Sequence, residues 1–219
     1  MIRGKTDKNN VFIVSILALV FTACFGCTSA KTFEQSKAVE SAKNGNLDRL
    51  KRAISRGVSV DQSDGRDSLL CIAVEAGQSS VAEYLIDQGA NVDFLGAHGY
   101  TPLTLAAMKD NLALFKLILP KSRKIDHKVT LGGFTTLYFA AKIKSEIMVQ
   151  LLVDSGANVK ITTDTGATAL AVACMNKPNT AIINCLMHAG ADPDQKDKFG
   201  HSPRFWAAKH NYALPKLSN

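Results

Sequence analysis

Thr101-Pro-Leu-Thr-Leu-Ala-Ala-Met-Lys-Asp110 reads as the opening of a helix. Thr101 is a residue type that caps a helix N-terminus through its side-chain oxygen. Pro102 follows at the first helical position, where a missing N–H costs nothing. Leu103, Leu105, Ala106 and Ala107 give one apolar face, and the paired alanines let a second helix approach closely. That second helix is expected over Ala113 to Leu119, with Leu114, Leu117 and Ile118 at helical spacing.

The block recurs as Ser68-Leu-Leu-Cys-Ile-Ala-Val-Glu-Ala-Gly77, Thr135-Thr-Leu-Tyr-Phe-Ala-Ala-Lys-Ile-Lys144 and Thr168-Ala-Leu-Ala-Val-Ala-Cys-Met-Asn-Lys177. Its third residue is Leu70, Leu103, Leu137 and Leu170 in turn, 33 or 34 apart. Two more landmarks keep the same phase. Asp87-Gln-Gly-Ala-Asn-Val-Asp93, Asp154-Ser-Gly-Ala-Asn-Val-Lys160 and His188-Ala-Gly-Ala-Asp-Pro-Asp194 follow the second helix. Gly99, Gly133, Gly166 and Gly200 precede the next block. No such unit buries its apolar face alone, so neighbours must stack into a solenoid.

These landmarks together resemble an ankyrin-repeat protein over residues 36 to 212. The resemblance implies an all-α repeat solenoid, an ankyrin array of helix-turn-helix units joined by β-hairpin loops. Residues 31–219 are then one repeat domain. A helical cap lacking the Thr-Pro-Leu opening covers 36–60, repeats cover about 61–93, 94–126, 127–160 and 161–194, and a truncated repeat covers 195–214.

This chain departs from the family pattern in two ways. The fourth motif position, usually a histidine that bonds neighbouring loops, holds Cys71, Thr104, Tyr138, Ala171 and Phe205. That polar network is expected to be missing. Asp67 and Pro178 read as one-residue insertions, and Pro120, Ser122 and Arg123 replace the usual turn, so the third joint is expected to be irregular.

Residues 1–30 read as an address. Three cations within the first ten residues precede Val11 to Phe25, an uncharged run too short to cross a bilayer as a straight helix. Val20-Phe21-Thr22-Ala23-Cys24 resembles a bacterial lipobox, with Phe21 where leucine is usual. The resemblance implies acylation of Cys24, cleavage before it, and a membrane-anchored lipoprotein of the periplasm. The alternative is ordinary signal cleavage after Thr28-Ser29-Ala30, leaving a soluble periplasmic or secreted protein.

Composition narrows function. Hydrophobic residues are 46% and charged residues 21%, which excludes a chain too polar to fold. The net charge of +7 comes without a dense basic run, so no nucleic acid is expected as partner. Five cysteines are too few for a disulfide scaffold. Cys71, Cys174 and Cys185 read as buried thiols, with a Cys174–Cys185 disulfide as the alternative.

The chain holds no nucleophile elbow, phosphate loop or zinc-binding helix motif. The five histidines do not share a helix face at ligand spacing, so neither a metal site nor a cofactor is expected. Asp61, Asp93, Asp126 and Asp194 recur in phase and are expected to bond backbone N–H groups in the hairpin turns rather than serve as acids or bases. No enzyme is expected.

A binding surface remains. The ankyrin resemblance implies that another protein binds the concave face and the hairpin tips. Tyr100 and Phe134 are expected side by side on adjacent tips, Tyr100 exposed and Phe134 either exposed or folded back. Leu95, Leu131 and Phe199 lie nearby, flanked by Arg66, His98 and Lys198. The first-helix ends offer Met108 with Lys109, Lys142 with Ile143, and Met175 with Asn176. Apolar groups rimmed by cations suit an acidic protein partner, and the free array is expected to be a monomer. Exported proteins of this kind include immunity proteins that neutralise antibacterial toxins such as type VI-secreted phospholipases. Others support an envelope enzyme such as catalase under oxidative stress.

Overall fold

The computed structural model describes residues 32–175 and 178–215. The address segment with Cys24, and the ridge residue Asn176, lie outside the described residues. The chain runs as helix pairs. The cap is a helix over 32–44, labelled α1, and α2 (Leu47–Ser55). Then come α3 (Leu69–Glu75) with α4 (Ser79–Asp87), α5 (Pro102–Met108) with α6 (Leu112–Ile118), and α7 (Thr136–Lys142) with α8 (Glu146–Asp154). The array closes with α9 (Ala169–Met175), α10 (Thr180–His188) and a lone α11 (Pro203–Lys209).

The start signals act as the sequence dictates. Ser68, Thr101, Thr135, Thr168 and Ser202 each accept the N–H three residues on, so every first helix is capped by the residue that opens its motif. Leu70, Leu103, Leu137 and Leu170 are buried in register, and Phe115 is the largest fully buried side chain.

The helices form two rows. α3, α5, α7, α9 and α11 pack in sequence along the inner row. The outer row packs α2 on α4 on α6, and α8 on α10, while α6 and α8 approach each other less closely. This break is the irregular third joint: α6 tightens at Pro120 into a 3₁₀ turn over Leu119–Lys121.

Successive hairpins are stitched at root and tip. They are turns rather than paired strands, since only Ser63 and Ser68 form a β-bridge among the described residues. At the tips, the Thr130 N–H donates to the His98 carbonyl at 2.8 Å, the Asp164 N–H to the Gly132 carbonyl at 2.9 Å, and the Lys198 N–H to the Thr165 carbonyl at 2.8 Å. This closeness explains the hairpin glycine. Gly166 has φ +85°, and a Cβ there would sit 3.2 Å from Asp197 Cα of the next hairpin.

At the roots, Asp61, Asp93 and Asp126 bond the following unit rather than their own turn, whereas Asp194 accepts from the Arg204 guanidinium instead of a backbone N–H. Asp61 accepts the Asn91 N–H at 2.7 Å. Asp93 accepts the Ser122 hydroxyl at 2.6 Å and the Arg123 N–H at 2.9 Å. Asp126 accepts the Asn158 N–H at 3.0 Å.

A hydroxyl chain also bridges units where a polar network was expected to be missing. Thr104 Oγ1 lies 2.9 Å from Thr101 Oγ1 and 2.9 Å from Thr136 Oγ1 of the next block, all three buried. A threonine at the fourth motif position therefore replaces the missing histidine at one joint.

Candidate functional site

The inner helix ends and the hairpins form one continuous edge of the array, and the expected site residues divide there by burial. Leu95, Met108, Leu131 and Phe199 are exposed, Phe199 the most at 72%. Arg66, His98, Lys109, Lys142 and Lys198 are exposed as well. Ile143 and Met175 are half-buried against the core.

Tyr100 is corrected from an exposed tip to a half-buried residue, and Phe134 folds back likewise. The two rings do not lie side by side as free fingers. Each leans on Phe139, with ring centroids at 6.3 Å for Tyr100 and 5.6 Å for Phe134. Tyr138 completes the cluster 4.8 Å from Phe134. These spacings suit tilted and edge-to-face aromatic contact. The cluster seats the central hairpins, with the His98 ring edge-on to Tyr100 at 6.5 Å and Leu131 left exposed. His98 itself is held in the left-handed region at φ 58°.

Burial pushes the Cys71 thiol up to about 11 and the Cys174 thiol up to about 12, and it raises Cys185 too. All three are free thiols, and the expected inward placement of Cys185 is only half met. They are packing groups rather than nucleophiles. Among the described residues no cluster of His, Cys, Asp or Glu could hold a metal ion, and no helix is long and apolar enough to cross a membrane.

Two surface features escaped the sequence reading. A groove of about 510 Å³ opens beside the first hairpin, with Val39, Ile72 and Ala76 as floor and Lys43, Arg66 and Asp67 as rim. Arg66 therefore belongs to a groove wall. A second groove, of about 330 Å³, runs between α8 and α10 past Ile147, Leu151 and Cys185. Ile147 is out of phase with the buried Met148, Val149 and Leu152, and that phase break was its only visible signal.

A stack of capped helix pairs with a rigid, mixed apolar and cationic edge defines a solenoid of the protein-binding class. The family model for "Ankyrin repeats (3 copies)" matches residues 38–130 and 125–197, so the chain belongs to the ankyrin-repeat family. Repeats of this family are generally protein-interaction modules.

The ankyrin repeat protein YahD of Escherichia coli (strain K12) is 26% identical over 167 residues, which is 74% of this chain and 83% of that protein. An ankyrin repeat protein of fowlpox virus (strain NVSL) is 31% identical over 134 residues, covering 60% of this chain and 39% of its own length. The chain thus spans most of the bacterial relative and well under half of the viral one. An ankyrin repeat domain from Acinetobacter baumannii AYE superposes with a TM-score of 0.73 at 27% identity, covering 80% of this chain and 91% of that one.

Proposed function

We propose that this chain is an exported, lipid-anchored binding protein of the bacterial envelope that holds one folded protein partner along its inner edge. The observation that carries this is the edge itself. Leu95, Leu131 and Phe199 stand exposed on three hairpins, and Lys109, Lys142 and Lys198 are exposed at inner-helix ends and on a hairpin. Exposed apolar groups grouped on a rigid support and rimmed by charge are the anatomy of a protein interface. The aromatic cluster beneath lowers the ordering cost of binding, because the tips are fixed before a partner arrives.

The address segment supports the envelope location. A lipid on Cys24 would hold the array where membrane-attacking enzymes act, and the partner proposed is such an enzyme, neutralised as in toxin immunity. The test uses residues 31–219 as bait on envelope and secreted fractions of the source bacterium and its siblings. The expected result is one stoichiometric hydrolase whose activity falls in proportion to the array added. A captured resident enzyme such as a catalase, with its activity intact, would replace neutralisation by support. An empty bait would overturn the binding reading.

A further inference from the structure

The net charge is unevenly placed. Residues 32–60, the cap, hold Lys37, Lys43, Arg49, Lys51, Arg52 and Arg56 against Glu34, Glu40 and Asp48, a balance of +3. The 159 residues from 61 onward hold sixteen cations against fifteen acids, a balance of +1. The cap is the cationic end of an otherwise neutral array.

The geometry concentrates that charge. Arg49 and Arg52 of α2 and Arg56 at its C-cap line a cleft of about 180 Å³ with Glu34 and Lys37 of α1. Two acids answer part of it. Glu34 pairs with Lys37 at 3.4 Å and with Arg56 at 3.2 Å, and Glu40 pairs with Arg49 at 3.2 Å. Arg52 and Lys51 have no carboxylate partner among the described residues; Arg52 bonds the Asp48 carbonyl and Lys51 sits over the Tyr84 ring. On the same cap Phe33 is 59% exposed, with the Lys37 ammonium 3.9 Å from its ring centre. An exposed aromatic beside a cationic cluster is the combination that seats a helix in a lipid interface.

The preceding chain puts a bilayer within reach. Only Phe25 to Lys31 separate Cys24 from residue 32, at most about 28 Å when fully extended. We infer that the cap is a membrane-docking surface: α1 and α2 rest on anionic phospholipid headgroups, with Phe33 entering the interface. The contact fixes which way the array stands from the bilayer, something a lipid on Cys24 alone does not set. Each cation held near an anionic surface raises affinity about fivefold. A partly neutralised cluster gives weak, salt-sensitive docking, sufficient once an anchor holds the chain at the surface. The inference rests on the envelope location proposed above, yet its test is independent of acylation.

The experiment uses residues 31–219, which include the whole described hydrophobic core from Ala38 to Ala207. Co-sedimentation is measured with vesicles of phosphatidylglycerol and phosphatidylcholine, and with phosphatidylcholine alone. Binding to the anionic vesicles is expected to be at least about tenfold stronger, and to vanish in 0.5 M salt. Arg49→Gln/Arg52→Gln/Arg56→Gln should abolish it, and Phe33→Ala should weaken it several-fold. Lys196→Gln/Lys209→Gln, exposed at the other end of the array, should leave it unchanged. Circular dichroism checks that each variant is folded.

Failure to bind anionic vesicles overturns the inference. Equal loss in the distal lysine variant does so too, since it would mark diffuse charge attraction. So would retention on heparin without vesicle binding, which would assign the cap to a soluble polyanion. Unchanged membrane fractionation of full-length Cys24→Ser would instead defeat the lipid anchor and leave the vesicle result standing.

Discussion

The first three hairpin joints are clamped at the root by an aspartate, and the last one is not. Asp61, Asp93 and Asp126 each reach forward from one hairpin root to the next. At the fourth joint the same register holds Lys160 and, in the next root, Asp192, and no such clamp closes among the described residues. That joint keeps its tip bond, from the Lys198 N–H to the Thr165 carbonyl. The unit beyond it is a lone helix. It is tied down by the exposed Asp194–Arg204 pair at 2.6 Å and 2.8 Å and by contact of His210 Nε2 with the Met175 carbonyl. The Trp206 indole N–H is buried there with no acceptor among the described residues. Stability in a one-dimensional stack is the sum of units and joints, so the C-terminal end should be the first to open.

The hardest way to break this comparison is to destroy the centre. Leu137 is 2% exposed, and Leu137→Asp places an unpaired charge in the inner row. A loss above about 4 kcal/mol is expected, with far-UV helicity lost from at least the central units. Urea titration followed by circular dichroism reads it.

The next effect compares aspartates. Asp126→Ala should cost about 1–2 kcal/mol, because it removes a carboxylate accepting a backbone N–H across a joint. Asp194→Ala, which removes only the exposed pair with Arg204, should cost clearly less, because solvent screens that pair. Equal costs in urea would show that the clamps are incidental.

The fourth joint can also be repaired. Lys160→Asp with Asp192→Asn recreates the pair seen at Asp61 and Asn91, and it should stabilise the array by about 1 kcal/mol. Hydrogen exchange should slow in α11 more than in α3. A uniform change along the array would contradict a local clamp.

The smallest effect is acid softening at the two ends. Backbone N–H bonds from Asp67 and Arg66 hold Asp64 below the usual carboxylate range, and the hydrogen bond from Arg204 does the same for Asp194. Both pKa values are lower folded than unfolded. Their contribution is therefore present above about pH 4 and is lost as pH falls through the folded value. Amide signals of the first hairpin and of α11 should shift below pH 4 while those of α5 and α7 hold. Asp64→Asn should erase the first of these responses.

The stacking order and core register were legible because a Ser/Thr-x-Leu opening, Gly-Ala-Asn or Gly-Ala-Asp, and the hairpin glycine recur in phase. What escaped involves pairs of units. Thr104 read alone as a lost histidine, whereas its partner Thr136 lies at the second position of the next block, a pairing visible only when neighbouring motifs are compared. Tyr100 reads as a bare tip, and Phe134 as either exposed or folded back, when each is taken with its own hairpin. Phe139 and Tyr138 of α7, which belongs to the next unit for Tyr100, supply the seat that half-buries them. The aspartates were seen to bond backbone N–H groups, but the groups they reach lie about thirty residues on. The grooves beside α1 and between α8 and α10 arise from how whole helices pack, which no single period encodes.

The central claim is that the inner edge holds a protein, and two baits presented side by side test it directly. One is residues 31–219 unchanged. The other carries Leu131→Ser, Lys109→Glu and Lys142→Glu, all exposed positions, so its fold should survive. The account predicts one stoichiometric partner on the first bait and at least about a tenfold loss on the second, with identical circular dichroism. Equal capture by both baits would contradict it and move the binding surface off this edge.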